Sequence, residues 1–116
     1  MSTLYLGDTQ ILPDTHFGTG TVNTTNFSTI TGSGVYYRVV NGTCFVYINR
    51  LTPKTTAGGL EMCSGLPTCK LYTYSLAASG LSGFCGVCEI YENTGSIIYQ
   101  QANQNQASAC FSYPCE

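Results

Sequence analysis

Charged side chains are scarce in this 116-residue chain, at 9% of residues against about 25% in an ordinary soluble domain. Four Lys and Arg stand against six Asp and Glu, and no basic cluster is present. The chain therefore lacks the positive patch that attracts phosphate backbones, and we expect no nucleic-acid partner. Tryptophan is absent, and His16 is the single histidine, which leaves few groups for acid–base catalysis.

Long apolar runs are also missing. No stretch approaches the ~20 apolar residues that cross a bilayer, so we expect no membrane insertion. Residues 1–5 lack the basic and apolar regions of a secretory signal, and we expect synthesis in the cytoplasm. The length suits one domain with a core of moderate size.

The seven cysteines form an odd set, so at least one has no partner within the chain. A reducing cytosol would keep them as thiols, which behave as small apolar side chains. The alternative is a zinc site on Cys85 and Cys88, but zinc ribbons need a second close pair, and Cys110 and Cys115 are too far apart in sequence. On a regular strand, Cys85 and Cys88 would also face opposite sides. We expect no metal and no cofactor.

The signals that are present are those of β-structure. Short runs rich in Val, Ile, Tyr, Phe and Thr are bounded by Gly, Asn or Pro, and no segment has a sustained helical period. The strongest unit is a hairpin of residues 35–40 and 43–48 around Asn41-Gly42, because a type I′ turn needs positive φ at both central residues. The sequence therefore predicts an all-β fold.

Side-chain alternation predicts apolar groups on both faces of this hairpin. Tyr37 and Val39 lie two positions apart and share a face, as do Val46 and Ile48. We assign the two pairs to opposite faces, as in a sandwich or an intersubunit strand.

Further strands follow along the chain. A second hairpin is expected from residues 86–91 and 96–100, with Gly95 in the left-handed position of its turn. Residues 71–76 have the composition of another strand. A last strand over residues 107–113 closes the fold.

The first third of the chain differs in composition. Residues 17–34 are rich in Thr, Gly, Ser and Asn with isolated apolar residues, which indicates an ordered connector that packs on the rest. Before it, residues 4–13 form either a tight hairpin around residues 7–8 or one extended arm. We divide the chain into an arm and connector, residues 1–34, and a β-sandwich domain, residues 35–116.

Tyrosine is abundant, with nine residues, and it presents a flat apolar ring with a hydrogen-bonding tip. Tyr72 and Tyr74 fall on one face of a predicted strand. The amides of Asn103, Gln104 and Asn105 are suited to sugar hydroxyls. These five are the candidate binding residues. The alternative is that the tyrosines only pack in a sandwich or a subunit interface.

No catalytic arrangement is visible. His16 lies in a polar stretch, and the six carboxylates are interpreted as solvated, with Glu89 on the outer face of its strand and Glu92 at a turn. A glycosidase needs two carboxylates at a fixed separation, and the pattern places no such pair. We expect no enzyme, and sugar cleavage is the weaker alternative.

The order of these segments resembles that of small structural proteins of tailed bacteriophages, such as tail-fibre, baseplate, receptor-binding and head-fibre proteins. The opening Tyr-Leu-Gly-Asp-Thr run is similar to the start of such virion proteins. The segments that carry the resemblance are residues 4–11, 37–48, 65–67, 86–99 and 111–114.

The resemblance implies a jelly-roll-like antiparallel β-sandwich, assembled as a homotrimer. An extended N-terminal arm would attach to other virion proteins through Leu4, Tyr5, Leu6 and Ile11. The body would face the host and bind cell-surface carbohydrate, and three copies would multiply a weak affinity. We expect a non-enzymatic fibre or receptor-binding module of the virion. The alternative is a capsid-decorating or head-fibre protein that anchors and stabilises.

Overall fold

The computed structural model describes residues 5–6, 9–10, 15–80 and 83–115. Within these ranges the structure has only strands, turns and irregular segments, which confirms the all-β class. No helix in them is long and apolar enough to cross a membrane. The strands are β1 Tyr5–Leu6, β2 Thr9–Gln10, β3 Thr15–Thr19, β4 Thr21–Val22, β5 Phe27–Ser28, β6 Gly34–Val40, β7 Thr43–Pro53, β8 Leu60–Ser64, β9 Thr73–Ser79, β10 Gly83–Ile90, β11 Ile97–Gln101 and β12 Ala107–Pro114.

Ten of these strands form one antiparallel sheet that is nearly closed into a barrel. The strand order is β3-β6-β7-β12-β9-β10-β11-β8-β4, and β5 pairs with β7 beside this path. The antiparallel pairing agrees with the prediction from the sequence. The two-layer sandwich that we also predicted is not confirmed by this arrangement.

The chain itself connects the two edges of this sheet. β3 lies at one edge and β4 at the other, and only Gly20 separates them in sequence. The Gly20 amide donates a hydrogen bond to the Val35 carbonyl oxygen, with an N···O distance of 2.8 Å. A Cβ at Gly20 would lie 3.1 Å from the Leu66 side chain and 3.3 Å from the Ser64 carbonyl oxygen. A glycine therefore lets the two edges approach each other.

The first predicted hairpin is confirmed. β6 and β7 pair from Val40 opposite Thr43 outward. The turn residues Asn41 and Gly42 have φ values of 49° and 78°, as a type I′ turn requires.

The predicted distribution of its side chains is wrong. Tyr37 lies directly opposite Val46, and side chains of directly paired residues emerge on the same side of the sheet. Tyr37, Val39, Val46 and Ile48 therefore share the inner face. The outer face still carries an apolar surface, because the ring of Tyr47 is 41% exposed.

The second predicted hairpin is confirmed as β10 and β11, but not the role of Gly95 in it. Asn93, with φ of 68°, is the residue with positive φ in this turn. At Gly95 a Cβ would lie 2.2 Å from the Leu66 carbonyl oxygen, and the Leu66 amide donates to the Gly95 carbonyl oxygen at 3.0 Å. Gly95 is thus needed for a close approach between two backbones.

Two later strands differ in how well they were predicted. The last strand is confirmed, and β12 pairs with β7 with Tyr113 opposite Cys44. The strand predicted at residues 71–76 lies further along the chain, as β9.

The connector predicted for residues 17–34 packs on the sheet. It supplies β4 and β5 and part of β3. Phe27 is fully buried in the core, and its ring centroid lies 5.7 Å from that of Tyr99. The domain boundary between residues 34 and 35 stays a prediction.

The N-terminal residues that the structure describes form a separate two-stranded sheet. Tyr5 pairs with Gln10 in β1 and β2, which agrees with the hairpin alternative. Of the predicted attachment residues, Tyr5 and Leu6 form β1, and Leu4 and Ile11 lie outside the described residues.

The core holds six of the seven cysteines, and Cys110 is exposed. Cys85 and Cys88 are both fully buried, so the expectation that they face opposite sides is wrong. The reason is a β-bulge, because the pairing with β9 passes from Phe84 directly to Gly86 and leaves Cys85 out of register. Among the described residues, no group of three or more His, Cys, Asp and Glu is arranged to hold a metal ion.

Candidate functional site

The outer face of β9 and β10 carries exposed tyrosine rings together with polar side chains. Tyr74 in β9 lies directly opposite Glu89 in β10, so the two side chains emerge about 5 Å apart on the same side. Tyr72 precedes β9, and Tyr91 follows β10. These antiparallel strands place both residues at the same end of the sheet. We call Tyr72, Tyr74 and Tyr91, with Glu89, the tyrosine cluster.

The Tyr72 ring lies next to each of the other two rings. The Tyr72 and Tyr91 centroids are 5.2 Å apart with an interplanar angle of 44°, and the Tyr72 and Tyr74 centroids are 6.3 Å apart at 30°. Each ring keeps a large free surface, because Tyr72 is 43%, Tyr74 62% and Tyr91 44% exposed. The cluster is therefore a tilted aromatic platform rather than a buried core.

The Glu89 carboxylate connects the rings. It accepts hydrogen bonds from the Tyr72 hydroxyl, from the Tyr91 hydroxyl at 3.3 Å and from Gln100 Nε2 at 3.1 Å. These bonds, that of Tyr72 first, hold the pKa of Glu89 below its usual value. The same bond raises the pKa of Tyr72 to about 12. At neutral pH the cluster therefore holds one ionised carboxylate among neutral phenols.

The sequence placed Glu89 correctly on the outer face but did not indicate the side chains that bond to it there. Its carboxylate accepts three hydrogen bonds and keeps further acceptor capacity for a ligand. Of the other carboxylates, Glu92 is exposed, and Glu61 accepts a hydrogen bond from Asn23 Nδ2 at 3.0 Å. Asp8, Asp14 and Glu116 lie outside the described residues.

The structure brings Tyr72 and Tyr74 together but leaves the predicted amide loop elsewhere. Asn103 Nδ2 donates to the Phe84 carbonyl oxygen at 3.1 Å, near the start of β10, whereas the tyrosine cluster lies near its end. Asn103 Oδ1 also accepts the Asn105 amide at 3.0 Å, so the Asn103 side chain holds the loop in shape. Gln104 and Asn105 are exposed there.

Sequence reasoning did not predict Glu89, Tyr91 and Gln100 as site residues. A signal for them existed in the second hairpin. Its register places Gln100 opposite Val87, which puts the Gln100 side chain on the face that Glu89 also uses. The contacts of Tyr72 depend on the pairing of β9 with β10, which no local pattern specifies.

Other surfaces offer less chemistry. His16 is exposed beside Tyr37 at a depression of about 340 Å³. A wider groove of about 660 Å³ is lined by Tyr36, Tyr47 and Asn49 among others. There the Asn49 amide and the Tyr36 hydroxyl both donate to one carbonyl oxygen, at 2.8 and 3.2 Å. Both donors are thus engaged with the backbone, and none of the residues that line this groove is Asp, Glu, Lys, Arg or His.

No protein family, no curated protein and no solved structure matches this chain. The resemblance to phage structural proteins gains no support from these comparisons. The fold and the site define a class only, namely a small all-β protein whose antiparallel sheet is nearly closed into a barrel and carries an aromatic surface site with one carboxylate.

Proposed function

We propose that this chain is a non-enzymatic carbohydrate-binding module. The observation that carries the proposal is the tyrosine cluster, with its three part-exposed rings around one carboxylate. Flat apolar rings can stack on the C–H faces of sugar rings, while carboxylate and amide oxygens accept hydrogen bonds from sugar hydroxyls. Tyr74 is the most exposed ring and is the proposed stacking surface.

The ionisation of Glu89 supports binding over hydrolysis. A glycosidase protonates its leaving group with a carboxylic acid whose pKa is raised, and it needs a second carboxylate nearby. The pKa of Glu89 is lowered instead. Within the part of the chain that the structure describes, no second carboxylate bonds to the cluster.

We propose further that the module belongs to a bacteriophage virion, as part of a fibre or receptor-binding protein made in the host cytoplasm. Support comes from the sequence resemblance and from the nearly uncharged surface. Residues 4–11 would attach to other virion proteins. A labelled protein retained by cells of the host strain would favour receptor binding, whereas retention on purified capsids would favour the anchoring role.

The homotrimer also stays a proposal, and exposed apolar side chains on the barrel support it. Leu76 is 61% and Phe84 51% exposed, on the same outer face as Tyr74. Contacts between identical copies would remove this apolar surface from water. Sedimentation at micromolar concentration should give the trimer mass, and a monomer would contradict the proposal.

A glycan array tests the binding function directly. We expect Tyr74→Ala to weaken binding by about ten-fold, since it removes one stacking ring. The matched control is Tyr47→Ala, because Tyr47 is also an exposed tyrosine in a strand, on β7 and outside the cluster. The control should bind like the unaltered protein. Full binding by Tyr74→Ala, or no glycan bound by the unaltered protein, would contradict the proposal.

A further inference from the structure

The tyrosine cluster contains a negative charge without a cationic partner. The three groups that donate to Glu89 are two phenols and one amide, all of them uncharged. No Lys, Arg or His among the described residues contributes to its hydrogen bonds or to its pKa. The hydrogen bonds keep Glu89 ionised, so a full negative charge persists at this surface.

The rings around this charge are attractive to cations. The face of a tyrosine ring carries a negative quadrupole, and a cation over it within about 6 Å is stabilised. The Tyr72 and Tyr91 hydroxyls donate to Glu89, which moves electron density toward their rings. Tyr74 makes no such bond, but its ring emerges directly opposite the carboxylate.

A neutral sugar would leave this arrangement unmatched. A ligand that covers the cluster removes water from the Glu89 carboxylate, and desolvating a charge without supplying an opposite charge is unfavourable. An anionic sugar would add repulsion. A cationic sugar would both stack on the ring and neutralise the carboxylate.

We propose that the tyrosine cluster binds a saccharide that carries a free or N-methylated ammonium group, with the ammonium between the Tyr74 ring and the Glu89 carboxylate. This inference rests on the proposed carbohydrate-binding function and adds the charge of the ligand. The Gln100 amide and the Tyr91 hydroxyl both donate to Glu89 Oε1, and the Tyr72 hydroxyl donates to Oε2, so the orientation of the carboxylate beside the rings is fixed.

The test compares two probes of equal length that differ at the amino nitrogen, which is a protonatable amine in glucosamine oligomers and a neutral acetamide in N-acetylglucosamine oligomers. Titration calorimetry of the whole chain should show about ten-fold tighter binding of the glucosamine oligomer at low salt, and a smaller preference at high salt. Glu89→Gln should abolish the preference. The matched control is Glu92→Gln, which removes one negative charge from an exposed turn residue. This variant should retain the preference for the glucosamine oligomer.

A second variant keeps the test valid even if Glu89→Gln does not fold. Tyr74→Leu replaces an exposed ring by an aliphatic side chain and leaves the Glu89 hydrogen bonds in place. It should lower the affinity for the amine oligomer more than that for the acetylated one.

Two results would separate the inference from the function beneath it. Equal affinity for both oligomers, or a preference that survives Glu89→Gln, would overturn the cationic ligand and leave carbohydrate binding standing. Absence of binding by either oligomer, together with an array on which Tyr74→Ala changes nothing, would overturn both.

Discussion

Replacing Gly95 by alanine should destabilise the barrel strongly. The new Cβ would lie 2.2 Å from the Leu66 carbonyl oxygen, where ordinary contact begins at 3.4 Å. The two segments would have to separate by about 1 Å. They cannot do so freely, because the 66–69 and 93–95 segments are joined by three backbone hydrogen bonds of 2.8 to 3.0 Å.

The magnitude follows from the two costs. Overpacking at a fixed site costs about 1–3 kcal/mol, and a broken hydrogen bond adds about 0.5–1.5 kcal/mol. We therefore expect Gly95→Ala to lower the free energy of unfolding by about 2–4 kcal/mol. This is a large share of the total for a small domain.

Two further glycines provide the controls. A Cβ at Gly80 would meet no described atom within 4 Å, so Gly80→Ala should change the free energy of unfolding by less than about 0.5 kcal/mol. Gly83 is equally open but has φ of 76°, so Gly83→Ala should cost about 1–2 kcal/mol from backbone strain alone. Urea denaturation followed by circular dichroism measures all three. A loss in Gly95→Ala no larger than that in Gly80→Ala would refute the reasoning.

Three other predictions concern single tyrosine and cysteine side chains. The Tyr113 hydroxyl donates to a backbone carbonyl oxygen at 2.7 Å, so Tyr113→Phe should lower the free energy of unfolding by about 1–3 kcal/mol, measured by chemical denaturation. The buried Tyr99 hydroxyl has no partner among the described residues, so Tyr99→Phe should leave the free energy of unfolding unchanged or raise it. Spectrophotometric titration should show Tyr72 ionising near a pKa of about 12 instead of the ordinary 10. The stability that its hydrogen bond to Glu89 confers is therefore present below pH 10 and is lost as pH rises toward 12. Glu89→Gln should return the pKa of Tyr72 toward the ordinary value. One thiol, that of the exposed Cys110, should react promptly with a thiol reagent in the native protein and all seven in denaturant, and native labelling that survives Cys110→Ser would contradict this.

Local chemistry accounts for what the sequence predicted correctly. The Asn41-Gly42 turn follows from the positive φ values that only a few residue types tolerate, and these two residues are adjacent in the chain. The same holds for the second hairpin, whose strands are close in sequence. Both hairpins were therefore predictable without knowledge of the rest of the fold.

Features that depend on distant backbone were not predictable in this way. Position 95 needs a glycine because the Leu66 backbone approaches it closely. The burial of both Cys85 and Cys88 follows from a bulge in the pairing of β10 with β9. The approach of the two sheet edges at Gly20 depends on β3 and β4 together with the segments packed against them.

The candidate site likewise has features that the local sequence predicted and features that depend on distant residues. The tyrosine content and the face shared by Tyr72 and Tyr74 were visible in the sequence. The role of Glu89 was not, because its donors include Tyr72, which is 17 residues away in the chain. A pattern of alternation gives the side of a sheet on which a carboxylate lies, but not the neighbours that it meets there.

The junction between β12 and β9 has a dynamic consequence. In the described part of the chain one residue pair, Ser108 with Ala78, joins these strands, whereas seven pairs join β12 to β7. Local opening of the sheet should begin between β12 and β9, and the backbone amides there should exchange with deuterium sooner than those between β6 and β7. Since β9 and β10 together carry the tyrosine cluster, each such opening displaces the whole aromatic platform relative to β12 and β7.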